Sequence, residues 1–321
     1  MKALVHTKYG STDVLNLKEV EKPIPKDDQV LIRVHATTVN RTDCAIIRAK
    51  PFFMRILTGL LRPKKRTLGT DFAGQIEAVG NHVESFKVGD KVFGFDDLGL
   101  GSHAQYITLA ADKAFFAMPI NSSYQQAAAS IEGAHYALNF INKVNIKRKQ
   151  KILVNGATGA IGSALVQLLH YLGVSVVAVC STDNLKLVKS LGASTVIDYS
   201  KEDFSLYKDR YDFIFDAVGK SSFGKCKPLL KAKGAYISSE LGPMAQNLFL
   251  PVITSIVGNK KVISPFPTNI KRTLLFMKKL IEQGRFNAII DRKYPLEHII
   301  NAYKYVEQGY KTGNVVITMD S

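Results

Sequence analysis

The glycine-rich stretch from Lys151 to Gly162 constrains the fold of this chain more than any other feature. An apolar run ends there in glycines spaced three residues apart, and an amphipathic run follows from Ser163 to Leu172. The spaced glycines are Gly156, Gly159 and Gly162. A second apolar run, Val174 to Val179, follows at the distance expected of the next strand. This order predicts the strand, tight loop and helix of a βαβ unit.

The predicted loop has the properties of a dinucleotide-binding site. Glycine permits the sharp turn and lets backbone N–H groups approach a diphosphate closely. The helix that follows presents its partly positive N-terminus to the same anion. The residues predicted to bind the cofactor here are Thr158, Gly159, Ala160, Ile161 and Gly162. A purely structural corner is the alternative, because glycine-rich turns also occur without a ligand.

The length and the hydropathy pattern predict a globular protein of two domains. The chain has 321 residues, and a domain typically has about 150. No run of about 18 apolar residues occurs, so we expect no transmembrane helix and no membrane partner. The N-terminal segment lacks the apolar core of a signal peptide, and it is predicted to form a first strand. We therefore expect a cytoplasmic protein.

The basic composition and the few cysteines narrow the function classes. The formal net charge is +16, and the bases are scattered in short groups, which is typical of a solvated surface. The charge also suits the steering of an anionic cofactor. No RNA or DNA motif accompanies it, so a nucleic-acid partner is not expected. The three cysteines form no CxxC pair, so neither a disulfide framework nor a zinc or redox motif is predicted.

Two patterns divide the chain. Short strand candidates, separated by turn residues, fill its first third. From Lys151 onward strands alternate with helices, which predicts a doubly wound parallel sheet. A short β/α tail is expected to return to the first domain, so the predicted domains are 1–123 with 265–321, and 124–264. Ligands of open α/β sheets bind beyond the C-terminal strand ends, so we expect the site in a cleft between the domains.

Further motifs, spread nearly from end to end, resemble one enzyme family. They are Val39-Asn40-Arg41-Thr42-Asp43, Leu68 to Gly74, Phe86 to Gly94, Leu191-Gly192-Ala193, Val196 to Tyr199 and Phe215 to Gly219. With the glycine loop, they make the chain resemble the zinc-free branch of the medium-chain dehydrogenase/reductase superfamily, the quinone oxidoreductase-like proteins. The resemblance implies an α/β chain with a GroES-like β-rich catalytic domain and a Rossmann domain. It also implies NAD(P)H-dependent reduction and a homodimer paired through the edge of the Rossmann sheet.

Residue chemistry predicts no metal. A catalytic zinc needs three protein ligands of Cys, His or acidic type. By the resemblance, the ligand positions of the zinc-dependent alcohol dehydrogenases fall on Asn40, on Thr70 and near Ser130. The segment that carries four cysteines for a structural zinc in those enzymes, here Asp96 to His103, contains none.

Reduction of an activated acceptor is the reaction that suits a chain without zinc. Ionising an alcohol is difficult without a Lewis acid. A quinone or an enone accepts hydride directly. The protein then has to position it, exclude water and provide a hydrogen-bond donor near its oxygen. By the resemblance Asn40 faces the nicotinamide and is the leading donor, with a helix cap as the alternative. His135 or Tyr136 is expected to donate the proton, and packing at the domain junction is the alternative for both.

The end of the second Rossmann strand predicts NADPH rather than NADH. NAD-preferring enzymes place Asp or Glu there for the ribose hydroxyls, whereas this chain has Ser181 and Thr182. By the resemblance, Ser181 and Tyr199 contact the 2′-phosphate or the adenosine, and Lys186 adds charge. Asp183 opposes this assignment by repelling a phosphate, unless it caps the next helix. NAD therefore stays the alternative cofactor.

The remaining predicted cofactor contacts lie further along the chain. Ala217, Val218 and Gly219 follow the fourth Rossmann strand and are expected at the adenosine ribose. Ser238 ends the fifth strand and is expected near the nicotinamide. A family turn rich in basic residues corresponds to residues 309–314, where Lys311 is expected to substitute for the missing bases. A plain surface turn is the alternative.

One main hypothesis of function and two alternatives follow. We expect a zinc-independent, NADP-dependent quinone oxidoreductase-like enzyme that transfers hydride to a small hydrophobic quinone, enone or related activated carbonyl. A zinc-independent NAD(P)-dependent alcohol dehydrogenase is the alternative among enzymes. A non-catalytic cofactor-sensing or RNA-binding protein is the alternative outside them, and the net charge is its only support.

Overall fold

The computed structural model describes residues 1–50, 54–265 and 269–319. Its internal contacts divide the chain into two units, Met1–Glu132 with Ile270–Ser321, and Gly133–Asn269. We call them the first and the second unit. The domain boundaries predicted from the sequence, after residues 123 and 264, differ by several residues from the boundaries of these units and stay predictions.

The N-terminal part of the first unit consists mainly of strands. Its elements are β1 (Lys2–Val5), β2 (Asn16–Glu19), β3 (Gln29–Val39), α1 (Arg41–Arg48), α2 (Met54–Thr58), β4 (Asp71–Val79), β5 (Lys91–Phe95), β6 (Tyr106–Ala110), β7 (Phe115–Ala117) and α3 (Tyr124–Ala129). The long strand β3 is buried along most of its length, because apolar residues and threonines occupy both of its faces. Ser123 caps α3 by accepting a hydrogen bond from Gln126 N at 3.2 Å.

Strands and helices alternate in the second unit. The elements from its N-terminal boundary onward are α4 (Glu132–Asn142), β8 (Lys151–Asn155), α5 (Ala160–Tyr171), β9 (Ser175–Cys180), α6 (Leu185–Ser190), β10 (Thr195–Asp198), β11 (Tyr211–Asp216), α7 (Phe223–Cys226), β12 (Leu230–Ser238), α8 (Gln246–Ile256) and β13 (Lys261–Ile263). The six strands form one parallel sheet in the order β10-β9-β8-β11-β12-β13. Apolar runs such as residues 152–154 are buried there, as both faces of a parallel sheet are covered. The strand order is that of a Rossmann sheet and confirms the predicted parallel sheet.

The tail completes the sheet of the first unit. Its elements are α9 (Ile270–Glu282), β14 (Ile290–Pro295), α10 (Ile299–Gln308) and β15 (Asn314–Thr318). β15 pairs antiparallel with β3, which gives the order β14-β15-β3-β4-β5-β7, with β6 also paired to β3. Tyr303 and Val306 of α10 join Phe72 and Val30 in the core of this unit. Among the described residues, no helix has the length and apolar character needed to cross a membrane.

The parallel sheet has two chemically different edges, which we call the carboxyl edge and the amino edge after the strand ends that form them. The strand register sets Asp216 beside both Asn155 and Ser238, and Asp198 beside Cys180. The loops that follow these strands therefore meet at the carboxyl edge, where ligands of such sheets bind.

Candidate functional site

The loop between β8 and α5 has the backbone that a diphosphate site needs. Gly156 has a φ of +78°, a conformation that strains residues with a side chain. At Gly162 a Cβ atom would lie 2.0 Å from the Gly156 carbonyl oxygen, so this close approach requires glycine. At Gly159 a Cβ atom would meet nothing within 4 Å. The space in front of Gly159 is open, so a ligand can approach the backbone there.

Helix α5 begins directly at this loop. Gly159 is its N-cap, no side chain makes a cap hydrogen bond, and the first turn carries no acidic residue. Because the first N–H groups of a helix have no partner within it, α5 presents donors and a partly positive end at the loop. Thr158 and Ile161 are partly exposed beside that end, whereas Ala160 is buried. The arrangement suits an anion.

The residues predicted for the 2′-phosphate gather where β9 and β10 end. Ser181 follows β9, and Tyr199 follows the neighbouring strand β10, so the parallel register brings their positions together. Tyr199 is 61% exposed, and Lys186 is exposed on the first turn of α6. The Tyr199 hydroxyl group and the Lys186 cation are thus both accessible near this end of the sheet.

Two carboxyl groups lie among these residues. Asp198, the last residue of β10, accepts a hydrogen bond from the Thr182 hydroxyl at 2.6 Å. That bond is the main cause that holds the pKa of Asp198 below its ordinary value. Asp183 is exposed in a 3-10 turn, Thr182–Asn184, while the N-cap positions of this turn and of α6 are Ser181 and Asn184. The helix cap suggested for Asp183 is therefore wrong, because α6 starts at Leu185 and its N-cap is Asn184, one residue after Asp183.

Asp216, the last residue of β11, holds the loop that follows it. Its carboxylate is fully buried and accepts five hydrogen bonds. The donors are Asn155 Nδ2 at 3.0 Å, Val218 N at 3.3 Å, Gly219 N at 3.0 Å, Ser221 N at 3.1 Å and the Tyr236 hydroxyl at 2.7 Å. The carboxylate thereby fixes residues 217–221, which include the three predicted ribose contacts. Ser238 is buried beside it, and its hydroxyl oxygen accepts a hydrogen bond from Glu240 N at 3.2 Å.

Asn40 lies in the first unit, where it follows β3 and caps α1. Its Oδ1 accepts a hydrogen bond from Asp43 N at 2.9 Å, and Asp43 Oδ2 accepts one from Asn40 N at 3.1 Å. The pair forms a capping box, which is the structural alternative weighed for Asn40. Asn40 Nδ2 also donates to Thr70 Oγ1 at 2.7 Å, and only 2% of the residue is exposed. Its side chain is therefore held in one orientation.

A buried carboxyl group, Asp71, lies next to Asn40. Its Oδ1 accepts hydrogen bonds from Thr38 N at 2.7 Å and from the Thr37 hydroxyl at 3.2 Å, and its Oδ2 accepts one from the Thr38 hydroxyl. Burial raises the pKa of Asp71 to about 7, although the hydrogen bonds from Thr38 oppose the shift. Burial, followed by the charge of Asp71, raises the pKa of Asp43 well above its ordinary value. Both effects favour the protonated form of the Asp43 carboxyl group.

His103 joins this cluster as a neutral ring. Its Nε2 lies 2.8 Å from the Thr38 carbonyl oxygen. Because a carbonyl only accepts, Nε2 carries the proton, and Nδ1 accepts from the Tyr303 hydroxyl at 3.1 Å. Burial lowers the pKa of His103 to about 4. The ring therefore links β3 to α10 without a charge.

Lys311 lies in the first unit, where its charge acts on Glu132. Lys311 Nζ donates to the Gly313 carbonyl oxygen. Burial lowers the pKa of Lys311, and the charge of Glu132 opposes that shift. Burial raises the pKa of Glu132 to about 7, against the charge of Lys311, and Glu132 Oε1 accepts a hydrogen bond from the Thr42 hydroxyl at 3.2 Å. The expected contact of Lys311 with a cofactor stays a prediction.

The two predicted proton donors differ in their environment on α4. His135 is fully buried, and burial lowers its pKa to about 4, so the ring is neutral at neutral pH. Tyr136 is half-buried. The two rings meet edge to face with their centroids 5.7 Å apart. Their catalytic roles stay predictions, and the half-buried phenol is the more accessible of the two groups.

The residues at the expected zinc positions do not suit zinc. Asn40 and Thr70 are hydrogen-bonded to each other, and the Ser130 hydroxyl donates to the Ala127 carbonyl oxygen at 2.8 Å. Amides and hydroxyls are not the thiolate, imidazole or carboxylate ligands that zinc sites in proteins use. Within residues 1–50, 54–265 and 269–319, no group of three His, Cys, Asp or Glu side chains is arranged to hold a metal ion. The zinc-free assignment itself stays a prediction.

The chain is similar to known oxidoreductases over its whole length. Residues 26–120 match a family model described as alcohol dehydrogenase GroES-like domain, and residues 191–317 match one described as zinc-binding dehydrogenase. The chain is 34% identical over 332 residues to a 2-methylene-furan-3-one reductase of Solanum lycopersicum, which covers 99% of this chain and 79% of the relative. It is 32% identical over 329 residues to a chloroplastic NADPH-dependent alkenal/one oxidoreductase of Arabidopsis thaliana, with the same coverage.

A solved structure supports the same assignment. The quinone oxidoreductase from Coxiella burnetii has a TM-score of 0.85 against this chain, at 25% identity, and the match covers 100% of this chain and 99% of that one. The predicted pair of a GroES-like and a Rossmann domain is thereby confirmed, as is the resemblance to the medium-chain dehydrogenase/reductase superfamily. The chain belongs to the medium-chain dehydrogenase/reductase superfamily, and within it to the quinone oxidoreductase-like enzymes.

Proposed function

We propose that the protein reduces quinones or α,β-unsaturated carbonyl compounds with hydride from NADPH. The observation that carries the proposal is the glycine loop at the carboxyl edge, which requires glycine at position 162 and leaves open space at Gly159. The names of the two plant relatives, a 2-methylene-furan-3-one reductase and an alkenal/one oxidoreductase, support an activated carbonyl as the acceptor.

The residues of the second unit suit a nucleotide at the carboxyl edge. The N–H groups at Thr158 to Gly162 are proposed to bind the diphosphate. Ser181, Thr182, Lys186 and Tyr199 are proposed to surround the 2′-phosphate. Residues 217–219, which Asp216 holds, are proposed to contact the ribose, and Ser238 the nicotinamide end.

The choice of NADPH over NADH is a separate part of the proposal. No acidic residue follows directly on β9 to bind the ribose hydroxyls, but Asp183 and Asp198 lie nearby. Titration of the protein with each reduced nucleotide, read by nucleotide fluorescence, measures the preference. We expect NADPH to bind more tightly than NADH, and we expect Lys186→Gln to weaken the binding of NADPH. Equal or tighter binding of NADH assigns NAD instead.

The chemistry at the acceptor divides between a hydrogen-bond donor and a proton donor. NADPH supplies the hydride. Asn40 is the proposed donor to the acceptor oxygen. One of its amide hydrogens goes to Thr70, and the second has only long contacts, with Asp71 Oδ2 at 3.4 Å and Thr38 Oγ1 at 3.5 Å. Tyr136 is the proposed proton donor, since burial keeps His135 uncharged. His135 stays the alternative.

Replacement of the proposed proton donor tests this chemistry. Tyr136→Phe removes only a hydroxyl, so we expect kcat with an enone to fall about a hundredfold while the dissociation constant of NADPH stays the same. Tyr171→Phe, at a partly exposed tyrosine of α5, is the control. An unchanged kcat would move the role to His135. Tight NADPH binding without turnover of any quinone or enone would contradict the proposed function.

A homodimer is the proposed assembly. Strand β13 is one of the two outer strands of the parallel sheet, and α8 beside it exposes Leu248, Phe249, Val252 and Ile253. A second copy that pairs at β13 would cover these side chains. Light scattering during gel filtration should give twice the chain mass, and Phe249→Ser should give a monomer. The cytoplasmic location stays a prediction, and the second plant relative is chloroplastic by name.

A further inference from the structure

Half of the excess positive charge of the chain lies at the amino edge of the parallel sheet. Strands β8, β11, β12 and β13 are neighbours in the sheet, and basic residues stand at the start of each. Residues 147–151, 208–212, 231–233 and 260–261 contain ten Lys and Arg but only two acidic residues. Adjacent strands lie about 4.8 Å apart, so these four starts span only about 15 Å. We call this surface the basic edge.

Most of the cations of the basic edge have no anionic partner among the described residues. Lys151 pairs with Asp209 at 2.7 Å, and Lys231 pairs with Asp212 at 2.8 Å. These two pairs use both carboxylates, so the basic edge keeps eight of the sixteen excess charges of the chain. Lys147, Lys208 and Lys233 are exposed, one near the start of each of three neighbouring strands, β8, β11 and β12.

The position of the basic edge excludes the role that the sequence suggests for the charge. The proposed nucleotide site lies at the carboxyl edge, and the basic edge lies at the opposite end of the same strands. A positive patch steers an anion towards itself, so this one does not serve the nucleotide. If the basic edge binds an anion, that anion is therefore not the nucleotide.

Exposed apolar side chains accompany the basic edge. Leu206 ends the 3-10 turn Phe204–Leu206, shortly before β11, and is 81% exposed. Val257 follows α8, shortly before β13, and is 69% exposed. Residues 241–259, which lead to the start of β13, contain no charged residue at all. Cations flanked by exposed aliphatic side chains are the pattern of surfaces that rest on anionic lipid.

We propose that the basic edge is a peripheral docking surface for an anionic lipid bilayer. Lys147, Lys208 and Lys233 contact the headgroups, and Leu206 and Val257 enter the boundary between headgroups and acyl chains. Nucleic acid is disfavoured because these apolar side chains are aliphatic and offer no stacking to bases. The expectation of no membrane partner rests on the absence of a spanning segment, which a peripheral surface does not need. Docking there leaves the carboxyl edge accessible.

Co-sedimentation of the full chain with phosphatidylcholine vesicles, with and without phosphatidylglycerol, tests the proposal. The protein is expected to bind only the vesicles that contain phosphatidylglycerol. Each lost cation should weaken binding about fivefold, so Lys147→Gln, Lys208→Gln and Lys233→Gln together should weaken it about a hundredfold. Leu206→Ser with Val257→Ser should remove the binding that remains at high salt. NADPH affinity should be unchanged in both variants, so the result is independent of the proposed function.

A matched control separates a specific surface from diffuse charge. Lys18→Gln, Lys87→Gln and Lys113→Gln together remove three exposed lysines of the first unit, and the same total charge. This variant is expected to bind vesicles as tightly as the unchanged protein. Equal weakening by both triple variants, or no binding to anionic vesicles, would overturn the proposal. Tighter binding of a DNA or RNA fragment at equal salt, lost in the basic-edge variant, would assign the surface to nucleic acid instead.

Discussion

Single residues set the geometry of the candidate site, and Asp216 shows how. The motif Phe215 to Gly219 points from the sequence to the loop that should contact the ribose, but not to the residue that holds it. That loop keeps its shape because the Asp216 carboxylate accepts hydrogen bonds from three of its backbone N–H groups. Asn155 and Tyr236 come from the neighbouring strands, so strand pairing completes the site. Such donors cannot be read from a linear motif.

Asp216→Asn is expected to weaken NADPH binding. An amide offers one acceptor atom where the carboxylate offers two, and its NH2 group would face N–H donors. Leaving buried donors unsatisfied costs about 1–3 kcal/mol, so we expect a lower midpoint of thermal unfolding and about tenfold weaker binding in a fluorescence titration. Asp209→Asn, which alters an exposed ion pair at the start of the same strand, is the control. Wild-type affinity in Asp216→Asn would show that residues 217–221 do not shape the nucleotide site.

Glu132→Gln is expected to change how stability depends on pH. The folded-state pKa of Glu132 is about 7 because of burial, and its ordinary value is 4.5. Between these values the folded protein binds the proton and the unfolded chain does not, so the Glu132 contribution to stability falls as pH rises from 4.5 to 7. As pH rises across that range, the free energy of unfolding of the variant should increase relative to that of the wild type, by about 3 kcal/mol at most. Urea unfolding at several pH values measures the difference, and a constant difference would contradict the assignment.

Elements with a regular hydrophobic period or regular glycine spacing can be predicted from the sequence, whereas α8 cannot. Strand β8, the glycine loop and α5 follow from apolar period and glycine spacing alone. Helix α8 reverses the usual arrangement, because Asn247 and Thr254 are buried while Phe249 and Val252 are exposed. Its inner residues serve as hydrogen-bonding groups: Asn247 Nδ2 donates to the Glu240 carbonyl oxygen, and Thr254 Oγ1 accepts from Val262 N. A periodicity search expects the opposite burial and passes over such a helix.

The glycine loop provides a matched pair of substitutions. Gly162→Ala puts a Cβ against the Gly156 carbonyl oxygen, so the loop must move, and we expect both stability and NADPH affinity to fall. Gly159→Ala points its Cβ into open space at a φ of −66°, so the fold should keep its unfolding midpoint. If the diphosphate lies in that space, Gly159→Ala should still weaken NADPH binding at least tenfold. Full affinity in Gly159→Ala would place the diphosphate elsewhere.

At the scale of the molecule, strand order explains what composition leaves open. The fold class follows from the order of motifs, and right-handed crossovers restrict the parallel sheet to a few strand orders, of which the Rossmann order is one. The composition does not explain the net charge of +16, but the parallel sheet places eight of these charges at the amino edge and the glycine loop at the carboxyl edge. In the first unit, Asp71, His103 and Tyr303 meet in one buried cluster although they lie far apart in the sequence. Tertiary pairing, which the sequence does not show, produces both arrangements.

The central claim, hydride transfer from NADPH to an activated carbonyl, is open to one direct measurement. The protein is incubated with an enone and NADPH that carries deuterium at the transferred position of nicotinamide C4, and the product is analysed by mass spectrometry. We predict one deuterium per product molecule, on the carbon β to the carbonyl, with one NADPH consumed for each. A product without deuterium, or no product across quinones and enones while NADPH binds, would contradict the account.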